Sequence, residues 1–358
     1  MALDASQMEK RAMKILVIQT AFIGDVVLTL PLIQEAKKHF KDCIVDVVTI
    51  PSTINVLENH TSISETIIFD KRKNDSGFLG LLRLAMTLRK KNYDVAFIPH
   101  RSLRSALLAA LAQIPKRIGV STSSGKFWFT NVVPYERNIH EIERNLTLLE
   151  QLGFSPTEKI LPNLFPSERD KKIVDIFFSE KTISLEQKII AIAPGSVWNT
   201  KRWLKENFIS LSKKLVEENF SVIFVGGKND EQLCTEIQNS VSSNNIFNSA
   251  GKFTLLQSAE IIRRCSVLVS NDSAPMHLAV AMRTPVVAIF GATIPEFGFA
   301  PYGEFDSVME QKNLSCRPCG IHGGNVCPIH TLDCMKNISV EMVFDATITM
   351  LKKTVNKS

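Results

Sequence analysis

Short, wholly apolar runs recur along the chain, each followed by a polar or glycine-bearing turn and then by a segment of helical length. The first, Lys14-Ile-Leu-Val-Ile-Gln19, leads through Gly24-Asp25 into a helical stretch over residues 26–40. Further strands are expected near residues 44–49, 95–99, 189–193, 222–225, 267–270 and 286–290. A half-exposed strand alternates apolar and polar residues; these runs do not, so both their faces are covered, as in parallel sheets flanked by helices. The pattern predicts an α/β fold. Pro156, Pro162 and Pro166 stud a polar stretch that interrupts the alternation, as an interdomain linker would. The expected organisation is one doubly wound domain over residues 1–165 and a second over 166–339. Such sheets bind ligands at the carboxyl ends of their strands, which places the expected active site in a cleft between the two domains.

A length of 358 residues, with 45% hydrophobic and 22% charged, agrees with two soluble globular domains. No apolar run approaches the roughly 18 residues of a membrane span, and the opening MALDASQMEKRAMKIL lacks an apolar leader core. A cytoplasmic location is expected. The formal net charge of +6 is concentrated: residues 71–126 hold twelve Lys or Arg against the two acids Asp75 and Asp94. Such an excess is either a set of solvated helix faces or a surface that meets phosphate groups. No helix-turn-helix, zinc-finger or RNA-binding signature accompanies it, so nucleic acid is not an expected partner.

Four loops at strand ends carry candidate chemistry. In Ala21-Phe-Ile-Gly-Asp-Val26, Gly24 permits a tight turn, and Asp25 is either a helix cap or a carboxylate available as a general base. This loop is not GxGxxG, which leaves a dinucleotide site unsupported. In the loop 193–204, Ser196 and Thr200 can donate hydrogen bonds and Lys201 supplies a compact charge, a set that suits a diphosphate or simply a solvated loop. The segment Ser270-Asn-Asp-Ser-Ala-Pro-Met-His277 opens a helix whose N-terminus can meet an anion, while Asp272 or Ser273 could equally be its cap. After Gly226-Gly227, Asp230 and Glu231 are indistinguishable candidates for a ribose contact. Cys316, Cys319, Cys327 and Cys334 could bind zinc, but their spacing is not that of paired CxxC motifs, and the expectation is reduced thiols without metal.

Taken together, these segments resemble glycosyltransferase family 9, the lipopolysaccharide heptosyltransferases, in particular the heptosyltransferase II branch. The carriers are IGDVVLTLP (23–31), APGSVWNTKRW (193–203), VGGKNDEQ (225–232), SNDSAPMHLA (270–279), IFGAT (289–293) and the late cysteines, whose order and spacing span nearly the whole chain. The resemblance implies a glycosyltransferase B fold, two Rossmann-like domains with the acceptor on the first and the nucleotide-sugar on the second. It also implies a last helix, residues 340–358, that crosses back to the first domain.

By the same resemblance, Asp25 is the catalytic base and Lys201 the ligand of the leaving diphosphate. Gly24, Ser196, Thr200, Asp230, Asp272, Ser273, Ala274, Met276 and His277 join Lys201 at the donor. Ala274 stands where many members carry glycine, which limits how closely the backbone approaches a phosphate. The implied donor is ADP-heptose and the implied acceptor the inner core on lipid A, with no cofactor. The acceptor's acidic groups fit Arg101, Arg104, Lys116 and Arg117, and a peripheral attachment to the inner leaflet of the cytoplasmic membrane follows. Other readings are a transferase of another nucleotide-sugar in core or O-antigen assembly, and a non-catalytic protein that binds nucleotide-sugars or lipopolysaccharide.

Overall fold

The computed structural model describes residues 12–355; residues 1–11, within the segment searched for a leader core, and residues 356–358 lie outside it. The described chain divides into two compact units. The first holds residues through Ile54, Thr61–Tyr135 and Arg144–Glu158; the second holds Asn55–His60, Glu136–Glu143 and the chain from Lys159 onward. The last change of unit, at Glu158 and Lys159, falls inside the proline-studded stretch.

The first unit is built on six parallel strands: β1 (Lys14–Ile18), β2 (Ile44–Thr49), β3 (Glu65–Ile68), β4 (Val95–Ile98), β5 (Lys116–Val120) and β6 (Asn131–Val133). Their spatial order is β3-β2-β1-β4-β5-β6. The second unit repeats the plan with β7 (Ile189–Ala193), β8 (Ser221–Phe224), β9 (Ile246–Asn248), β10 (Val267–Asn271), β11 (Val286–Phe290) and β12 (Ser307–Glu310), in the order β12-β11-β10-β7-β8-β9. The helices are, in chain order, α1 (Ile23–His39), α2 (Ile54–Leu57), α3 (Gly77–Lys90), α4 (Leu103–Leu111), α5 (Glu141–Leu146) and α6 (Glu168–Glu180). They continue with α7 (Lys205–Glu217), α8 (Glu231–Val241), α9 (Leu255–Arg263), α10 (Ala274–Ala281), α11 (Asp333–Lys336) and α12 (Val340–Val355).

Strand residues explain the layering. Leu16, Ile18, Ala96 and Ile98 share one face of the first sheet with Leu84 and Leu88 of α3 and Ala106 and Ala109 of α4, while the intervening Ile15, Val17 and Phe97 are equally buried on the other face. The same period of two puts Ile190, Ile192, Val267 and Val269 under Phe208, Leu211 and Leu215 of α7. In each sheet the strand order reverses beside the first strand, between β1 and β4 and between β7 and β10. A crevice opens at the carboxyl ends of those strands because the flanking connections depart in opposite directions. The loops singled out from the sequence, 19–25 and 194–203, leave the sheets at these two points.

The described residues of the last helix pack within the second unit, α12 lying on α7 and on β10 to β12. Val343, Met350 and Leu351, on one helical stripe, are buried in the same core as Trp203 and Phe208, so the sheet face itself supplies the apolar surface that the stripe requires.

Candidate active site

In the second unit, the carboxyl ends of β7 and β10 bring together the loops 194–203 and 271–277. Asn271, fully buried, fastens the first of these at both ends: its amide donates to Pro194 O at 2.8 Å, and its carbonyl accepts from Trp203 N at 3.0 Å. Between those anchors Lys201 Nζ lies 2.6 Å from Asp272 Oδ2, the two side chains being only 12% and 8% exposed. Thr293 donates to the same carboxylate oxygen at 2.6 Å. The tip of the lysine is therefore fixed by a carboxylate that is itself held by a hydroxyl. Sequence reasoning did not single out Asn271 or Thr293, although both lie inside the quoted motifs.

Asp272 is thus not the cap of α10. Ser273 takes that position, but its hydroxyl accepts from no first-turn N–H; it donates to Asn271 O at 3.3 Å. The N-terminal N–H groups of α10, with half-buried Ala274 and Pro275, keep the positive end of the helix dipole free of a side-chain cap. The Met276 side chain is fully buried and belongs to the core. His277 is also buried, and burial pushes its imidazole down from 6.5 to about 4, so it is neutral at physiological pH beside Asp272 and Lys201.

Thr200 has a different task from the one expected. Its hydroxyl donates to Gly324 O at 2.9 Å and accepts from Gly324 N at 2.8 Å, and its own N–H reaches Gly324 O at 3.0 Å. With 2% exposure, Thr200 clasps the loop from the late cysteines and has no capacity left for a phosphate. Ser196 is nearly buried, and its carbonyl accepts from Arg202 Nε at 2.8 Å.

The structure also separates the two acids of the ribose motif. Asp230 Oδ2 accepts from Gly227 N at 2.9 Å, and a Cβ placed on Gly195 would fall 2.0 Å from Asp230 Oδ1. Only glycine lets this carboxylate lie against the 194–203 loop. Glu231 instead pairs with Lys228, which holds its carboxyl below the usual range.

In the first unit, Gly24 and Asp25 occupy the first turn of α1, and Asp25 Oδ2 accepts from Phe22 N at 3.1 Å. The carboxylate is half-buried and satisfies the N-cap backbone, as the cap reading requires. Beside it in the same crevice stands a group that sequence reasoning missed. Lys71 Nζ donates to Thr20 Oγ1 at 2.6 Å and to Thr20 O at 3.2 Å. Thr20 Oγ1, His100 Nε2 and Ser105 Oγ form a triangle with sides of 3.1 to 3.2 Å. Arg104 and Lys71 lie over the same Phe69 ring, at 4.9 and 5.6 Å. Burial, reinforced by Arg104, lowers the Lys71 ammonium from 10.5 to about 8, and burial beside Lys71 and Arg101 brings His100 to about 4. No carboxylate among the described residues pairs with Lys71 or Arg104.

Arg101 and Arg104 follow β4 and reach this edge; Lys116 and Arg117 do not. They are the first residues of β5, at the amino edge of the sheet. Both side chains turn to backbone carbonyls, Lys116 to Gln151 and Arg117 to Trp128 and Ile114. The expected set of four basic acceptor ligands therefore divides in two.

All seven cysteines are free thiols. Among the described residues no three His, Cys, Asp or Glu side chains are grouped to hold an ion. Four successive backbone N–H groups, from Ile329 to Leu332, pull the Cys327 thiol down.

Comparison with known proteins follows the same lines. Residues 81–324 match the family model described as glycosyltransferase family 9 (heptosyltransferase). Lipopolysaccharide heptosyltransferase 2 of Salmonella typhimurium is 30% identical over 297 residues, 80% of this chain and 84% of that one. A glycosyltransferase of family 9 from Veillonella parvula superposes with a TM-score of 0.86 at 24% identity, covering 95% of this chain and 98% of its own. The ADP-heptose lipopolysaccharide heptosyltransferase II of E. coli gives 0.79 at 24% identity, with 96% and 99% covered.

Proposed function

Since the chain belongs to glycosyltransferase family 9, we propose that it transfers heptose from ADP-heptose to the inner core of a lipid A-linked acceptor. The observation that carries this reading is the buried pair of Lys201 and Asp272 beside the N-terminus of α10. A nucleoside diphosphate is a good leaving group, so its departure needs compensation of charge more than protonation. Lys201 and the first-turn N–H groups of α10 supply that compensation, Asp272 and Thr293 hold the lysine in register, and Asp230, lying on Gly195, is the carboxylate for the ribose. Ser196 and Ser273 complete the polar rim, with neutral His277 beneath it.

On the acceptor side, Asp25 takes the proton of the attacking hydroxyl as the new bond forms at the anomeric carbon opposite the departing ADP, and the configuration inverts. Lys71, Arg101 and Arg104 meet a carboxylate or phosphate of the acceptor. This role is supported by two like charges on one ring without a carboxylate partner, an arrangement that an anion relieves. An acceptor carried on lipid A also places the enzyme at the inner leaflet of the cytoplasmic membrane. The test is a grid of ADP-heptose, UDP-sugars and GDP-sugars against heptosylated and unheptosylated core acceptors. Turnover with ADP-heptose alone is the expected outcome; turnover with another donor class, or with none, would reject the proposal.

A further inference from the structure

Of the nine exposed large apolar side chains among the described residues of the first unit, five belong to three neighbouring segments: Phe127 at 87% exposed, Leu79 at 76%, Phe78 at 60%, Leu103 at 51% and Trp128 at 45%. They are not scattered. Phe78 and Leu79 begin α3, Leu103 begins α4, and Phe127 and Trp128 lie on the short helical turn Lys126–Trp128. Arg104 ties the first two groups by donating to Asp75 O at 2.5 Å and Gly77 O at 3.0 Å. Gly125 ties the third: a Cβ there would fall 2.4 Å from Ala106 Cβ and 3.1 Å from Leu103 Cα, so the turn rests directly on the start of α4. The underlying face is already filled by Leu81, Leu84, Ala106 and Phe129, so these tips contribute nothing to the core.

The surroundings are cationic. Arg72, Lys73, Arg101 and Lys126 are exposed around the tips, and Lys126 Nζ lies 5.6 Å from the centre of the Phe127 ring. Three acids lie nearby, each accepting from backbone N–H groups: Asp70 from Arg72 N and Lys73 N, Asp75 from Asp70 N at 2.9 Å, and Asp94 from Lys14 N at 2.8 Å. A second copy of this face would oppose cation to cation. Apolar tips ringed by an excess of Lys and Arg match a bilayer of anionic lipid, which takes the tips into its acyl boundary and the cations into its headgroups.

We propose that the starts of α3 and α4 and the Lys126–Trp128 turn form a membrane-docking face for anionic lipid bilayers. It deepens the reading above, which requires a lipid-anchored acceptor, by naming the surface that meets the lipid. No helix among the described residues is long and apolar enough to cross a membrane, and docking of this kind needs none.

The test is co-sedimentation of the protein with phosphatidylethanolamine–phosphatidylglycerol vesicles and with phosphatidylcholine vesicles, without donor or acceptor. The wild type is expected to bind the anionic vesicles and to be released by salt. The Leu79→Ser, Phe127→Ser double variant is expected to lose roughly tenfold or more in partitioning, yet to retain its melting temperature and its transfer to a deacylated, water-soluble acceptor. Wild-type protein that ignores anionic vesicles, or a double variant that binds them equally, overturns the proposal. So does concentration-dependent self-association that the two substitutions abolish while vesicle binding persists. Failure of the sugar-transfer reading would appear in the deacylated assay alone.

Discussion

Lys201 and Asp272 are mutually dependent: the ammonium approaches the carboxylate at 2.6 Å in surroundings that leave each side chain almost no solvent. Removing the lysine alone strands a buried anion, at a cost on the order of 3–5 kcal/mol. Lys201→Ala is therefore expected to lower both stability and donor affinity. Adding Asp272→Asn to that variant should recover most of the melting temperature and none of the turnover. Thermal unfolding beside calorimetric ADP titration separates the two effects; full recovery of turnover would mean that the pair is structural only.

Asp25→Asn tests the base. The asparagine carbonyl can still accept from Phe22 N, so the first turn of α1 and ADP binding are expected to survive. Transfer should fall by roughly 100-fold or more, the scale of lost general-base assistance. Near-normal turnover would reduce Asp25 to its cap.

The Lys71 ammonium, held near 8, is charged below that pH and neutral above it. Affinity for an anionic acceptor is accordingly expected to be full at neutral pH and to weaken as pH rises through about 8, with the donor KM unmoved. Lys71→Met should raise the acceptor KM at pH 7 and erase that alkaline limb. Neutralising Lys116 and Arg117, at the other edge of the sheet, should leave both constants near wild type.

His277 is expected to limit acid stability. Its folded-state imidazole titrates near 4 and an unfolded one near 6.5, so between those values the unfolded chain binds the extra proton. Stability is complete above about 6.5 and declines as pH falls toward 4. His277→Gln should lose less of its urea midpoint across that window than the wild type; an identical loss would assign the acid limb to other groups.

Much of this was legible in the chain because β1, β7 and β11 carry continuous apolar runs, and the loops after β1 and β7 bear Asp25 and Lys201. Five strands were not. β3 is half-exposed at a sheet edge, β5 opens on Lys116-Arg117, β6 and β9 have three residues each, and β12 is partly solvated, so none presents a long buried run. The Lys71, Thr20, His100 and Ser105 cluster was invisible for another reason: Thr20 follows β1, Lys71 follows β3 and the other two follow β4, and only the spatial order β3-β2-β1-β4 gathers them. The burial of Met276 and the clasp of Thr200 on Gly324 were not legible either, because motif membership does not reveal which way a side chain faces.

The clasp of Thr200 on Gly324, with the bond from Trp203 Nε1 to Ile338 O at 2.9 Å, has a consequence for synthesis on the ribosome. The segment bearing Lys201 emerges more than a hundred residues before the last of the partners that fix it, Gly324 and Ile338. The first unit, whose strands are all in hand by Val133, can fold while the rest is being made, as N-terminal domains generally do. A nascent chain therefore exposes an ordered first unit long before the loop bearing Lys201 acquires its full set of anchors, and any chain stopped before Gly324 is expected to be folded in part and inert.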